Sequence, residues 1–191
     1  LDMKAIGCHA YATSGHKWLL GPKGTGLLYV RRDALDQIEA KWVGAYSGAG
    51  EFDMATGVFG FADTAQRYEF GTVPVSLFHG LSEAMGFLLD LGMDRVWARS
   101  HYLGQRLITG LRSAGAEVVS PLDSSENSGI IVFRVKGMTR PELQSYLAKN
   151  YKIRSRGIYE GGLEAVRVSP HIYSTGADVD RVIEAVAALH L

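Results

Sequence analysis

Residues 13–26 read TSGHKWLLGPKGTG, a glycine-rich stretch with a lysine at position 17. The residues before it, 9–13, have a strand-like pattern, and the apolar run 27–30 predicts a second strand. The stretch is therefore expected to be a loop between two strands, with Lys17 inside that loop.

Lys17 has neighbours that suit nucleophilic chemistry. An amine that attacks a carbonyl carbon must be partly neutral, and burial beside other cations lowers the proton affinity of a lysine. Ser14, His16 and nearby backbone N–H groups supply donors for an anion such as a phosphate. On composition alone, a lysine in a glycine-rich loop is usually a solvated turn residue, which is the role we expect of Lys23 in the same stretch.

The clustered glycines raise a third interpretation, a nucleotide-binding loop. Residues 21–26 read GPKGTG and lead into a strand-like run. Walker-type loops and dinucleotide loops instead open a helix. The pattern argues against a nucleotide site.

The bulk composition excludes several classes of function. The chain has 191 residues, 47% of them hydrophobic and 21% charged, as in an ordinary globular protein with its own core. Lysine plus arginine number 20, as do aspartate plus glutamate, so electrostatic capture of nucleic acid or of an anionic membrane is not expected. No apolar run approaches the roughly 20 residues that span a bilayer. The six histidines are scattered, so no metal site is expected.

The single cysteine, Cys8, excludes a disulfide within the chain and fits a reducing compartment, so we expect a cytoplasmic protein. The chain begins at Leu1, in what reads as a loop followed by a short helix. We interpret this start as the sign of a missing N-terminal portion, which leaves a targeting signal undecided.

Hydrophobic periodicity predicts an α/β fold in which helices cover a mixed sheet. Helices are predicted over residues 34–41, over 75–89 with a buried apolar stripe, over 94–113, and after the cap residues Thr139 and Thr175. Strands are predicted at residues 130–135, 152–155 and 165–169, and loops at 44–50 and 57–62. The domain boundary is expected in the long helical stretch, giving domains of residues 1–95 and 96–191.

Three blocks of sequence resemble motifs of the class V aminotransferases, a family of pyridoxal-phosphate (PLP) enzymes that includes cysteine desulfurases, selenocysteine lyases and isopenicillin N epimerase. Ser14 to Trp18, followed by Gly21-Pro22 and Gly24-Thr25-Gly26, resembles the lysine motif of the family. Residues 67–72, RYEFGT, resemble its R-x-E-x-G-T segment, and residues 166–173, VRVSPHIY, resemble its C-terminal arginine strand.

The resemblance implies a fold type I PLP-dependent transferase. Residues 1–95 would be the C-terminal part of its large mixed-sheet, PLP-binding domain, and residues 96–191 its small C-terminal α+β domain. By the resemblance, Lys17 would carry the cofactor as a Schiff base and move the proton at the substrate's α-carbon.

The resemblance also implies roles for five other residues. Ser14 and His16 would contact the cofactor phosphate, and Gly71 and Thr72 would reach the phosphate of the neighbouring subunit, so a homodimer is expected. Thr72 could also cap the helix that follows it. Arg167 would bind the α-carboxylate of an amino-acid substrate through paired hydrogen bonds.

The chain departs from the family pattern in two ways. The aspartate that pairs with the pyridine nitrogen and the residue that stacks on the ring lie upstream of the lysine in this family, so the chain alone is expected to be inactive. Sulfur-transferring members use a cysteine on a loop of the small domain, and the corresponding residues here, 154–162, contain none. A cysteine desulfurase or selenocysteine lyase is therefore less favoured than an isopenicillin-N-epimerase-like transferase, epimerase or lyase. A non-catalytic scaffold or binding module that kept the fold remains the alternative.

Overall fold

The structure is a computed structural model and describes residues 1–189. The chain forms two compact units, the first spanning Leu1–Asp90 and the second beginning at Leu91. The elements of the first unit are α1 (Met3–Ile6), β1 (Ala10–Ser14), β2 (Gly26–Val30), β3 (Gly48–Asp53), β4 (Val58–Phe61) and α2 (Val75–Leu91, whose last residue opens the second unit). Those of the second are α3 (Met93–Ser113), β5 (Glu117–Val118), β6 (Ile131–Arg134), α4 (Arg140–Tyr151), β7 (Arg156–Ile158), β8 (Ala165–Val168) and α5 (Gly176–Ala187).

Strands β1 and β2 form the antiparallel pair that the sequence predicts on either side of the lysine loop. Their register joins Ala10 to Val30 at one end and Ser14 to Gly26 at the other. The loop thus leaves and re-enters the sheet at directly paired residues, which fixes the positions of both its ends.

Strands β3 and β4 correct the prediction of loop for residues 48–50 and 58–61. The two strands pair antiparallel through a turn in which the Asp53 carboxylate accepts from the Ala55 N–H at 2.8 Å and the Thr56 hydroxyl at 2.6 Å. Gly57 closes the turn with a φ of 70° and donates to the Asp53 carbonyl at 2.8 Å. The glycines of this segment suggested a loop, but the Asp53 turn makes it a hairpin.

The helix predicted over residues 34–41 is also wrong, because only a 3₁₀ turn forms there, at Arg32–Ala34. The reason is distant in sequence. The Leu35 carbonyl accepts from the Arg67 guanidinium at 3.2 Å, and the Ile38 carbonyl accepts from the Tyr68 hydroxyl at 2.9 Å. Carbonyls that a helix would use are bound by these side chains instead.

Helix α2 buries a narrower stripe than its periodicity predicts. Leu81 and Leu88, two turns apart, are its fully buried residues, whereas Leu89 is 68% exposed. Gly92, with a φ of 87°, then separates α2 from α3. A glycine with a positive φ at this point ends one helix before the next begins.

The second unit is a four-stranded antiparallel sheet, in the order β5-β6-β8-β7, packed against helices. This sheet corrects the expected mixed sheet, because β8 follows β7 after a short loop and lies between β6 and β7. Its core joins Leu103, Leu107 and Leu111 of α3 to Phe133 of β6 and Val186 of α5. The strand predicted at residues 152–155 lies further along, in β7, because Lys152 ends α4 in the left-handed conformation. None of the helices in residues 1–189 has both the length and the apolar composition needed to cross a bilayer.

Candidate functional site

The lysine loop closes on itself through backbone hydrogen bonds. The Gly15 N–H donates to the Thr25 carbonyl at 2.8 Å, and the Gly21 N–H donates to the Gly15 carbonyl at 2.8 Å. Within this ring, the Leu20 N–H donates to the Lys17 carbonyl at 3.1 Å. Lys17 therefore lies in a turn whose backbone is fixed on both sides.

Close packing explains why two of the loop's residues are glycines. A Cβ atom on Gly15 would collide with the Thr25 hydroxyl and would lie 2.9 Å from Leu81 Cδ1. A Cβ atom on Gly21 would lie 2.6 Å from the same Leu81 carbon. Leu81 is 1% exposed, so it has little room to move away.

Thr25 is a structural residue of the loop to which the sequence assigned no role. It is 4% exposed, and its hydroxyl donates to the Pro22 carbonyl at 2.7 Å. The sequence shows Thr25 as a hydroxyl residue between two glycines of the motif. Its contact with Gly15 across the loop can be seen only in the structure.

The polar side chains of the loop are available to a ligand. Ser14 is half-buried, and His16 and Lys17 are exposed. None of these three side chains has a hydrogen-bond partner in the part of the chain that the structure describes. Residues 13–26 also contain two lysines and no carboxylate. The loop thus presents an amine, a hydroxyl and an imidazole in a region without acidic side chains, which suits a phosphorylated aldehyde. The described residues do not bury Lys17. The loop therefore fixes the position of its backbone but does not remove its amine from solvent.

Arg67 and Tyr68, the first two residues of the RYEFGT motif, anchor the segment that carries Gly71 and Thr72. Arg67, with a side chain only 15% exposed, donates through Nε to the Ala62 carbonyl at 2.8 Å, and Tyr68 bonds the chain near residue 38 as described above. Arg67 is therefore a structural residue of the first unit.

Gly71 and Thr72 themselves lie in an open part of the first unit. The Thr72 side chain is exposed and has no hydrogen-bond partner among residues 1–189. The first turn of α2 begins at Pro74, whose carbonyl accepts from the Leu77 N–H at 2.9 Å, so Thr72 does not cap this helix. A Cβ atom on Gly71 would meet nothing within 4 Å, so packing does not explain this glycine.

Arg167 lies in the second unit, on β8, with Val132 of β6 and Arg156 of β7 as its direct cross-strand neighbours. The next residue inward, Val166, is fully buried against the helices, so Arg167 projects from the opposite face of the sheet. Its Nε is buried and has no hydrogen-bond partner among the described residues.

The other two arginines on this face are already bound to carboxylates. Arg134 forms a bidentate pair with Glu117, with Nε–Oε2 at 2.7 Å and Nη2–Oε1 at 2.5 Å. Arg156 binds Glu160 at 2.6 Å. Arg167 is thus the arginine of this face left with an unmet donor in the described structure, as expected of a residue that binds an external carboxylate. Sequence reasoning assigned no role to Arg156 and Glu160. The two residues are only four positions apart, but the strand register is needed to see that Arg156 lies beside Arg167.

A model of the aminotransferase class-V family matches residues 1–182 of the chain. Among curated proteins, the chain is 29% identical to the isopenicillin N epimerase of Streptomyces clavuligerus, over 99% of this chain and 49% of the relative. It is 27% identical to a cysteine desulfurase of Salmonella agona, over 100% of this chain and 48% of the relative. The chain spans about half the length of the curated relatives it matches.

Solved structures agree with this match in fold. An apo cysteine desulfurase from Thermococcus onnurineus superposes with a TM-score of 0.86 at 23% identity, over 98% of this chain and 48% of the other. The cysteine desulfurase CsdA from Escherichia coli gives a TM-score of 0.80 at 26% identity, over 100% of this chain and 48% of the other. Another similar structure, a C-DES variant, has glycine covalently linked to its PLP cofactor. The fold of a PLP-dependent class V enzyme, which the three sequence motifs implied, is therefore confirmed.

Proposed function

Because the chain belongs to the aminotransferase class-V family, whose members depend on PLP, we propose that it carries the lysine and the carboxylate-binding arginine of a PLP enzyme acting on an amino acid. The observation that carries the proposal is the closed lysine loop. Hydrogen bonds from the N–H groups of Gly15 and Gly21 fix the turn, and the side chains of Ser14, His16 and Lys17 have no competing partner in the described part of the chain.

These residues fit the cofactor. Lys17 supplies the amine that would hold it through its aldehyde, and Ser14 and His16 supply donors for its phosphate. Bound PLP supplies an electron-withdrawing ring that stabilises negative charge at the substrate's α-carbon. The Lys17 amine takes the proton from that carbon and becomes the ammonium group that gives it back from the same side.

Arg167 orients the substrate. Its guanidinium binds the α-carboxylate in a fixed plane, so that the bond to be broken at the α-carbon is held in one direction. Gly71 and Thr72 serve the phosphate site of the partner subunit in a homodimer. Thr72 is exposed, its hydroxyl has no hydrogen-bond partner among residues 1–189, and a Cβ atom on Gly71 would meet nothing within 4 Å; these observations support this role.

Transamination, epimerisation and lyase chemistry all begin with this proton transfer, and we include all three in the proposal. A persulfide route is disfavoured, because residues 154–162 contain no cysteine. The one thiol of the chain, Cys8, is partly buried just before β1 in the first unit, far along the chain from that loop.

The test uses the complete native polypeptide, purified with its cofactor. Lys17→Ala should abolish the visible absorbance of bound PLP and its covalent attachment after borohydride reduction, as read by peptide mass spectrometry. Lys23→Ala, in the same loop, is the matched control and should retain both. If a folded wild-type protein holds no PLP, or if Lys17→Ala holds it covalently, the scaffold interpretation replaces this one.

A further inference from the structure

Two arginines lie side by side on the face of the second sheet opposite the helices. Arg156 of β7 and Arg167 of β8 are direct antiparallel partners, so their side chains share a face, with Cβ atoms about 5 Å apart. The pair next to them, Gly157 and Val166, faces the helices: a Cβ atom on Gly157 would lie 2.8 Å from Arg140 Nη1 of α4.

Like charges directly opposite each other on a sheet repel, and here only one of the two is neutralised. Glu160 binds the Arg156 guanidinium at 2.6 Å and also accepts from the Tyr159 N–H at 3.1 Å. Hydrogen bonds from its own backbone N–H and from that of Tyr159, with a further contribution from Arg156, hold the pKa of Glu160 below its usual range. Glu160 is therefore ionised at neutral pH, and the group of three side chains has one positive charge to spare.

The short loop between β7 and β8 fixes Glu160 in place. On the helix side of this loop, Arg140 pairs with Glu164 at 3.3 Å and lies over the Tyr159 ring at 5.4 Å. Gly161 and Gly162 both adopt positive φ values, which lets the loop turn tightly between these contacts. Glu160 thus reaches Arg156 from a loop that is held on both sides.

We propose that Glu160 determines substrate specificity by holding Arg156, so that Arg167 alone receives an anion and the site takes amino acids with a single carboxylate. A substrate with a second anionic group would meet Glu160 and an arginine that is already paired. The inference rests on the proposed role of Arg167 in binding the α-carboxylate. Under this inference, Arg156 is a second side chain that could bind a carboxylate, but its pairing with Glu160 makes it unavailable.

Simple acids that lack an amine test this proposal without any chemistry at the cofactor. Calorimetric titrations of the complete native polypeptide would compare propionate with succinate. In wild type, succinate should bind no more than about twofold tighter than propionate, the statistical advantage of two equivalent carboxylates. In Glu160→Gln, succinate should bind about tenfold tighter than in wild type, the size of one charge-assisted hydrogen bond. Propionate binding should stay within about twofold.

Two variants serve as controls. Glu164→Gln removes the other carboxylate of the same loop, which faces α4, and should leave the ratio of succinate to propionate affinity unchanged. The double variant Glu160→Gln with Arg156→Gln should lose the gain in succinate binding. An unchanged ratio in folded Glu160→Gln would overturn the proposal.

Arg156→Gln decides the matter if Glu160→Gln does not fold. The proposal expects both acids to bind this variant as they bind wild type, whereas a loss of about tenfold for either acid would show that Arg156 already receives an anion. The carboxylate role itself is tested separately, since Arg167→Gln should abolish propionate binding. None of these titrations depends on Lys17, so a failure of PLP attachment remains distinguishable from a failure of this inference.

Discussion

Gly110 of α3 lies directly against Ile183 of α5, so closely that a Cβ atom on Gly110 would lie 2.6 Å from Ile183 Cγ1 and would collide with Cδ1. The two helices approach at this point because one of them has no side chain there. Gly110→Ala should therefore lower the free energy of unfolding by about 1–2 kcal/mol, since overpacking outweighs the better helix propensity of alanine. Urea unfolding of the purified protein measures this loss.

Ile183→Val is the second substitution for a double-mutant cycle, because it removes the Cδ1 atom nearest to a Cβ on Gly110. Gly110→Ala should cost less in the Ile183→Val background than in wild type, by about 0.5–1 kcal/mol in a double-mutant cycle. Equal costs in both backgrounds would show that the two residues do not limit the helix approach.

Gly15→Ala should destabilise the lysine loop. The added methyl group meets the Thr25 hydroxyl and Leu81, both buried, and should lower the free energy of unfolding by about 1–3 kcal/mol. Gly86→Ala, on the same helix as Leu81, adds a methyl group where nothing lies within 4 Å, and should be neutral or slightly stabilising. Thermal or urea unfolding of both variants tests the contrast, and a neutral Gly15→Ala would contradict the packing described for the loop.

Arg167→Lys should raise the KM for the amino-acid substrate about tenfold or more, because a lysine cannot make the paired hydrogen bonds of a guanidinium. The readout is steady-state kinetics of the complete polypeptide with its cofactor. Arg134→Lys is the control on the same sheet face, where Glu117 already occupies the guanidinium, and its KM should stay within about twofold of wild type. A similar KM for the two variants would remove Arg167 from the substrate site.

Thr175→Ala should weaken α5 in a pH-dependent way. The backbone N–H and the hydroxyl of Thr175 donate to Asp178 at 2.8 and 2.7 Å and hold its pKa below the ordinary value of 3.8. Because this pKa is lower in the folded than in the unfolded chain, the ionised Asp178 carboxylate stabilises the fold. Its contribution to the free energy of unfolding is complete above about pH 3.8 and is lost as the pH falls through the lowered pKa.

The Thr175 hydroxyl accepts from the Asp178 N–H at 3.2 Å and so caps α5. Its loss should lower the free energy of unfolding by about 1 kcal/mol at neutral pH. The difference in the free energy of unfolding between wild type and Thr175→Ala should then narrow in urea titrations as the pH is lowered below 3.8, through the lowered pKa of Asp178. A difference in the free energy of unfolding that stays constant with pH would mean that the Thr175 hydroxyl does not stabilise the ionised Asp178 carboxylate.

Local sequence patterns predicted the second unit better than the first. Helix α4 begins with Thr139 and Glu142 in a capping box, and α5 buries Val179, Val182 and Val186 on one side, so both could be predicted from their own residues. Residues 34–41 have helical periodicity as well, but their carbonyls are bound by Arg67 and Tyr68, about thirty positions later. A pattern within one segment contains no information about such partners.

The candidate site shows the same division. Lys17 and Arg167 were named from motifs, whereas the closure of Gly15 onto Thr25 and the position of Arg156 beside Arg167 depend on strand register. Register is set by the whole sheet and not by any one strand, so these relationships became visible only in the structure.

The hydrogen bonds described for the lysine loop come from the loop itself, since Gly15, Gly21, Pro22 and Thr25 bind one another, while Gly80 and Leu81 of α2 pack against it. The segment from β1 to β2 is consequently close to a transferable module. Grafted between two paired strands of another protein, with a helix that supplies the equivalents of Gly80 and Leu81, residues 13–26 should keep their backbone conformation and present the same three polar side chains.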